Sequence, residues 1–276
     1  MEKNAGLENF RKIVRTHYKR FGRVFPWRET LDAYKITVSE IMLQQTGTER
    51  VVKKYPPFIE AFPSFESLAG APLRDVLALW QGLGYNRRAK ALKETALRVC
   101  RDHEGKLPED RASLLALPGI GPGTAGSLAA FVYNKPSVFI ETNIRRVFLH
   151  FFFAGKQNVH DREILPLVED ALDRKNPRLW YYALMDYGVY LKSLYPNPNR
   201  RSAHYAVQSR FENSNRQVRG RIIKALSGNR GGKRRGLSLA ELMSETGFDA
   251  GRVLSAAEEL SAEGMVAEHE ERYRIS

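Results

Sequence analysis

A run of glycine and proline between two apolar stretches, Leu117-Pro118-Gly119-Ile120-Gly121-Pro122-Gly123-Thr124, constrains this chain more than any other feature. The close spacing of Gly119, Gly121 and Gly123 removes Cβ atoms where the backbone must turn, so its N–H groups can come close to a ligand. The apolar segment that follows, from about Ala125 to Tyr133, reads as a helix. Amides exposed at a helix N-terminus suit an anion such as a phosphate. About twenty residues on, Phe139-Ile140-Glu141-Thr142-Asn143 sets a carboxylate just ahead of a second helix. A phosphate grip followed by a placed carboxylate points to chemistry on a nucleic acid.

The charge distribution agrees. The 276 residues carry a net charge of +13. Leu237 to Ser276 holds nine acidic and three basic residues, so the rest of the chain carries an excess of +19. An excess of that size attracts polyanions through counterion release. No apolar run is long enough to span a membrane, and the charged N-terminus lacks the core of an export signal. A cytoplasmic protein is the expectation, with no membrane partner. Cys100 stands alone, which excludes an intramolecular disulfide and a cluster ligated by this chain's own cysteines. The six histidines show no metal spacing, so no side-chain metal site is expected.

Apolar residues recur at helical intervals and strand signals are few, so the body reads as all-α. Helices are predicted over 7–21, 34–43, 48–61 with a kink or break at Pro56-Pro57, 65–69, 72–80 and 86–102. Further helices follow 142–143, either residue being a suitable cap, and cover about 162–174 and 177–191. Phe148, Phe151, Phe152 and Phe153 read as core. Residues 1–195 form the predicted body and 196–216 a basic linker. Residues 217–276 form a small winged-helix-like module, with the run Gly228 to Arg235 flexible.

Several stretches together carry a resemblance. They are Phe25-Pro26-Trp27-Arg28, Ser39-Glu40-Ile41-Met42-Leu43-Gln44-Gln45-Thr46, Trp80-Gln81-Gly82-Leu83-Gly84-Tyr85, the LPGIGPGT turn, Glu141-Thr142-Asn143-Ile144-Arg145-Arg146-Val147 and Ala183-Leu184-Met185-Asp186-Tyr187-Gly188. In this order they resemble the HhH-GPD DNA glycosylases, in particular the adenine glycosylase and endonuclease III branch. The resemblance implies a fold of two helical subdomains with a cleft, into which a base is flipped from double-stranded DNA. It also implies roles. Glu40 stands where the branch carries its proton donor, Glu141 at the carboxylate of the reaction centre, and Asn143 as the support of that carboxylate. Arg28, Tyr182 and Asp186 fall at the base pocket. Gln44, Gln45 and Tyr85 match the loop and wedge that fill the gap. Gly119, Gly121, Gly123 and Thr124 match the backbone grip, with Arg87 and Arg88 beside it on a basic helix. Taken singly, Glu40 reads as a solvated helix residue, Gln44 and Tyr85 as surface and packing, and Asn143 as a cap.

The chemistry is consistent with those roles. Cleaving an N-glycosidic bond needs an acid for the departing base and a carboxylate beside the cationic sugar. The departures from the family pattern are informative. The usual aspartate is Glu141, one methylene longer. Gly123 stands where bifunctional members carry a Schiff-base lysine, which implies a monofunctional, water-using enzyme. The four cluster cysteines are replaced by Lys192 and the residues after it. Tyr182 stands where adenine-specific members carry Glu or Gln. A monovalent cation held by backbone carbonyls at 117–123 is a further implication. The expectation is a monomeric, cluster-free glycosylase of base excision repair acting on a mispaired or damaged base, adenine among the candidates. The alternative is a catalytically weakened or silent protein that binds mismatched or abasic DNA.

Overall fold

The computed structural model describes residues 2–228 and 236–276, with side chains from Gly6 onward. The predicted flexible run lies, beyond Gly228, outside them. Helices dominate the described residues. The chain begins with α1 (Glu2–Phe21), a 3₁₀ turn (Pro26–Arg28) and α2 (Ala33–Leu43). Next come α3 (Thr48–Ala61), α4 (Phe65–Gly70), α5 (Leu73–Trp80) and α6 (Arg87–Asp102). α7 (Arg111–Ala116) and α8 (Pro122–Tyr133) flank the glycine-rich turn, followed by α9 (Thr142–Phe152), α10 (Asp161–Ala171) and α11 (Pro177–Leu194). A second 3₁₀ turn (Pro198–Arg201) leads to α12 (Asn215–Gly228), β1 (Leu237–Ser238), α13 (Leu239–Thr246), α14 (Ala250–Ala262), β2 (Val266–His269) and β3 (Arg272–Ile275). The strands form one antiparallel sheet in the order β1-β3-β2.

Local chemistry explains most of the boundaries. Ser64 and Ser67 form a reciprocal capping box that starts α4, and Ser238 and Glu241 do the same for α13. Pro72 supplies the fixed φ that opens α5. Of the predicted kink or break, the break is absent: α3 runs through Pro56 and Pro57 without ending. The two prolines remove backbone donors, but Val51, Tyr55 and Phe58 are buried around them and hold the turn. Such burial stabilises each side chain by about 1.5–3 kcal/mol, comparable to the cost of about 3 kcal/mol for a proline inside a helix.

The chain packs as two units, each assembled from segments distant in sequence. The first comprises Met1–Ile36, Glu109–Ala116 and Ile120–Val207; the second comprises Thr37–Pro108, Leu117–Gly119 and Gln208–Ser276. In the first, Phe10 of α1 meets Phe148, Phe151, Phe152 and Trp180 edge to face, with centroids 5.0–5.8 Å apart. Of the predicted phenylalanine core only Phe148 is buried, Phe151, Phe152 and Phe153 being half-buried, and α11 lies along α1 and α9. In the second, Trp80 of α5 sits against Phe58 of α3 and is fully buried. α12 buries Val218, Ile222, Ile223 and Leu226, and it packs on α5, α13 and α14. From Gln208 the C-terminal residues cluster with Thr37–Pro108 and Leu117–Gly119.

Candidate functional site

In the first unit, Glu141 is the N-cap of α9, where the sequence predicts Thr142 or Asn143. Its carboxylate accepts from the backbone amides of Asn143 (2.8 Å) and Ile144 (3.0 Å) and from Asn143 Nδ2 (3.3 Å). Three donors aimed at one group fix its position. Burial raises the Glu141 carboxyl above the usual range, against the pull of those amides and of Arg146 and Arg145. Asn143 is itself braced. Arg146, almost fully buried, donates through Nη1 to Asn143 Oδ1 (2.6 Å) and to the Gly188 carbonyl (2.9 Å), and through Nε to Asn197 Oδ1 (3.2 Å). Asn199 Nδ2 reaches the Thr142 carbonyl at 2.9 Å. Gly188 is required for this approach, because a Cβ there would lie 2.6 Å from the Asn143 carbonyl oxygen.

Arg28, Tyr182 and Asp186 also meet in the first unit. The Arg28 guanidinium lies 4.5 Å over the Tyr182 ring and 5.1 Å over Phe25, and Tyr182 stacks on Phe131 at 4.7 Å. Both Arg28 terminal nitrogens bond Asp186, each at 3.0 Å. Arg23 adds its backbone amide (2.7 Å) and its Nε (2.8 Å) to the same carboxylate. Burial alone would raise Asp186, but the bonds and charges of Arg28 and Arg23 outweigh it and hold the group below the usual carboxylate range. The hydrogen-bonding edge of Arg28 is thereby turned to Asp186 and to the Arg23 carbonyl, 3.0 Å away. Arg28 braces a wall made by Phe25 and Tyr182.

The second unit holds Glu40, Gln44, Gln45, Tyr85, Arg87 and Arg88. Glu40 lies on α2 and is partly exposed. Arg88, predicted as a DNA contact, is engaged within the chain. Its guanidinium donates to the carbonyls of Ile41 (3.0 Å), Met42 (2.9 Å), Leu83 (3.1 Å) and Gly84 (3.0 Å), to Thr46 Oγ1 (2.9 Å) and to the Gln44 carbonyl. Burial lowers its pKa to about 10, still far above neutrality, so it stays charged. Arg88 is the bracket that joins the turn after α2 to the turn after α5. Within those turns Gln45 (φ 54°) and Tyr85 (φ 49°) occupy the left-handed region. A side chain held there costs about 1–2 kcal/mol, and such strain gathers at functional sites. Arg87 remains well exposed, 3.8 Å from Glu263.

The glycine-rich turn is divided between the units, Leu117–Gly119 in the second and Ile120 onward in the first. Gly119 adopts φ 73°, and a Cβ on it would lie 2.9 Å from Ala91 Cβ, so only glycine fits. Its carbonyl accepts from Gln44 Nε2 (3.1 Å), and the Pro118 carbonyl from Thr95 Oγ1 (2.7 Å). Gly121 is the N-cap of α8, with Pro122, Gly123 and Thr124 in its first turn and no side-chain cap.

Arg146, Asn197, Asn199 and Arg23 are neighbours of the candidate residues that sequence reasoning misses. Arg146 stands three positions after Asn143, on the same helix face, and that spacing was an available signal. Nothing local marks Asn197 or Asn199. They lie at and beside the 3₁₀ turn Pro198–Arg201 that follows α11.

The described residues thus join helical units, a glycine-rich turn that opens α8 and a carboxylate that caps α9. Residues 38–167 match the family HhH-GPD, described as HhH-GPD superfamily base excision DNA repair protein. Over those residues the chain is similar to that superfamily. It is 35% identical over 191 residues to the adenine DNA glycosylase of Buchnera aphidicola subsp. Baizongia pistaciae, covering 68% of this chain and 54% of that protein. The adenine DNA glycosylase of Mycobacterium tuberculosis is 43% identical over 131 residues, covering 47% of this chain and 43% of that one. The chain spans about half the length of the curated relatives it matches. Among solved structures, a thermostable thymine-DNA glycosylase superposes with a TM-score of 0.62 at 27% identity, over 68% of this chain and 88% of that one. A non-covalent endonuclease III–DNA complex gives 0.58 at 18% identity, over 69% and 89%, a likeness of fold alone.

Proposed function

We propose that this protein is a monofunctional DNA glycosylase of base excision repair that takes a mispaired or damaged base, adenine in the first instance, from double-stranded DNA. The observation that carries the proposal is the carboxylate of Glu141, held by two backbone amides and by an asparagine that is itself braced. In this reading Glu40 protonates the departing base as the C1′–N bond breaks. The sugar becomes an oxocarbenium-like cation, which the Glu141 anion stabilises, and water adds to C1′ with loss of a proton. The products are a free base and an abasic sugar. Gly123 offers no amine, so a Schiff base at that position is absent from the scheme. Gly119, Gly121, Gly123 and Thr124 present backbone to a phosphate, with Arg87 adding charge, and a cation on the turn's carbonyls would assist. The element order of residues 215–276 supports a winged-helix-like module. The adenine DNA glycosylase relatives support adenine as the first substrate to test.

The test is release of free base from duplexes carrying adenine mispairs, thymine mispairs, uracil and alkylated bases. Release from one class, reduced by about 10²–10⁴-fold in Glu40→Gln and Glu141→Gln, is the expected result. Activity that survives both substitutions sinks the mechanism. A second reading is favoured by the N-cap role of Glu141, which serves the fold alone: a silent protein that binds abasic or mismatched DNA. Selective binding with no base release from any duplex would establish it.

A further inference from the structure

The segment after α11 serves no step of the reaction scheme, yet residues 197–202 hold α9 at both of its ends. At the first turn, Asn199 Nδ2 donates to the Thr142 carbonyl (2.9 Å), and Asn197 Oδ1 accepts from Arg146 Nε (3.2 Å). The same Asn197 oxygen accepts from the Asn199 amide (3.2 Å), so it caps the 3₁₀ turn and anchors Arg146 together. At the last turn, Arg201 donates from Nη2 to the Leu149 carbonyl (2.7 Å) and from Nη1 to the Phe153 carbonyl (2.5 Å). The final carbonyls of a helix lack partners within it, and a cation is favoured where they gather. Just beyond, Val159 and Ser202 form a parallel bridge, with the Val159 amide on the Arg201 carbonyl and the Ala203 amide on the Val159 carbonyl, each at 2.9 Å.

Pro198, Asn199 and Ser202 are buried, and Pro198 fixes the φ with which the turn begins. Apolar burial is non-directional and tolerates a small rotation or slide of a helix, whereas hydrogen bonds at both ends fix its register. The register matters here, because Glu141 caps the first turn of α9 and a misplacement of about 1 Å at a reaction centre can cost about 10²-fold in rate. We infer that Asn197, Asn199 and Arg201 are positioning residues of the reaction: as one strap they set the register of α9 and, through Asn143 and Arg146, the place of the Glu141 carboxylate. Arg201 acts from the far end, at a carbonyl roughly 12 Å along the helix from Glu141 at about 1.5 Å per residue. The inference rests on the glycosylase reading and adds to it residues outside the superfamily match.

The test is single-turnover base release by the full chain and by Asn197→Ala, Asn199→Ala and Arg201→Met, on whichever of the duplexes above the parent acts. Binding to a duplex with a stable tetrahydrofuran abasic analogue and thermal melting are measured beside it. At a temperature where it is fully folded, each variant should release base about 10–10²-fold more slowly, with abasic-duplex affinity within about threefold of the parent. Asn197→Ala should also move the acid limb of the rate to higher pH, since Arg146, whose charge opposes the rise of the Glu141 carboxyl, loses its anchor. Asn197→Asp keeps an acceptor for both donors and should recover the rate to within about threefold. Arg201→Lys, which keeps the charge and loses the fork, should fall between Arg201→Met and the parent. Variants that melt earlier but release base at the parent rate, with the acid limb unmoved, overturn the inference. So does a loss of abasic-duplex affinity as large as the loss of rate, the signature of a DNA contact. Where the alanine and methionine variants do not fold, Arg201→Lys decides, and a rate equal to the parent's overturns the inference. No base release by the parent from any duplex overturns the glycosylase reading and the inference with it.

Discussion

At the scale of single residues, Glu141 carries two jobs that can be separated. As N-cap it needs an oxygen that accepts from Asn143 and Ile144, and as part of the reaction centre it needs a negative charge. Glu141→Gln keeps the first and removes the second. It is expected to melt within about 1 kcal/mol of the parent while base release falls by about 10²–10⁴-fold. The pH dependence follows from the sign of the shift. Folding raises the Glu141 pKa, so its contribution to stability is present at low pH and is lost as pH rises through the folded value. Activity that needs the anion disappears as pH falls through that same raised value. Single-turnover rates should therefore show an acid limb above the ordinary glutamate range of about 4.3. Asp186 behaves oppositely. Its depressed pKa gives stability that is present above the unfolded value of about 3.9 and lost as pH falls through the folded one. Asp186→Asn strands Arg28 and Arg23, at a cost of about 3–5 kcal/mol, and should flatten the acid limb of a denaturation-midpoint curve against pH.

Between elements, the second unit depends on Arg88 and the first on Gly188. Replacing Arg88 by Met leaves the carbonyls of two turns without their donor and should lower stability by about 2–3 kcal/mol by urea denaturation. Gly188→Ala pushes a methyl against the Asn143 carbonyl, where α11 crosses α9. A cost of about 1–3 kcal/mol is expected, together with a fall in kcat larger than any change in KM, because Asn143 supports Glu141. The helices themselves were largely readable from periodicity, proline and glycine. Their joining was not. The spacing of Asn143 and Arg146 puts both on one face, but no local pattern says that Asn197 waits beside them. Arg88 looks from sequence like another cation on a basic helix, and only its carbonyl neighbours make it a bracket.

For the whole molecule, the acidic C-terminal stretch and the basic remainder are not independent parts. Residues from Gln208 onward cluster with Thr37–Pro108, and α12 covers α5. A chain ending at Val207 should therefore expose apolar surface of α5 and lose solubility or melt earlier, as read by differential scanning. The charge excess makes a second whole-molecule expectation: log affinity for duplex DNA should fall linearly with log salt, by about 0.9 per phosphate neutralised.

By itself, the sequence determined what depends on neighbours within a turn or two of chain: the helical period, the glycine-rich turn, the carboxylate ahead of a helix and the uneven charge. These follow from backbone sterics and side-chain type, and they act whatever the rest of the molecule does. Tertiary structure decided which donors meet which acceptors. Arg28 and Asp186 are 158 residues apart in sequence and Arg146 and Asn197 are 51 apart. Buried polar groups must be satisfied wherever the packed helices bring them, and no sequence spacing encodes that address. The same requirement made Glu141 the cap of its own helix and turned Arg88 onto the carbonyls of two turns.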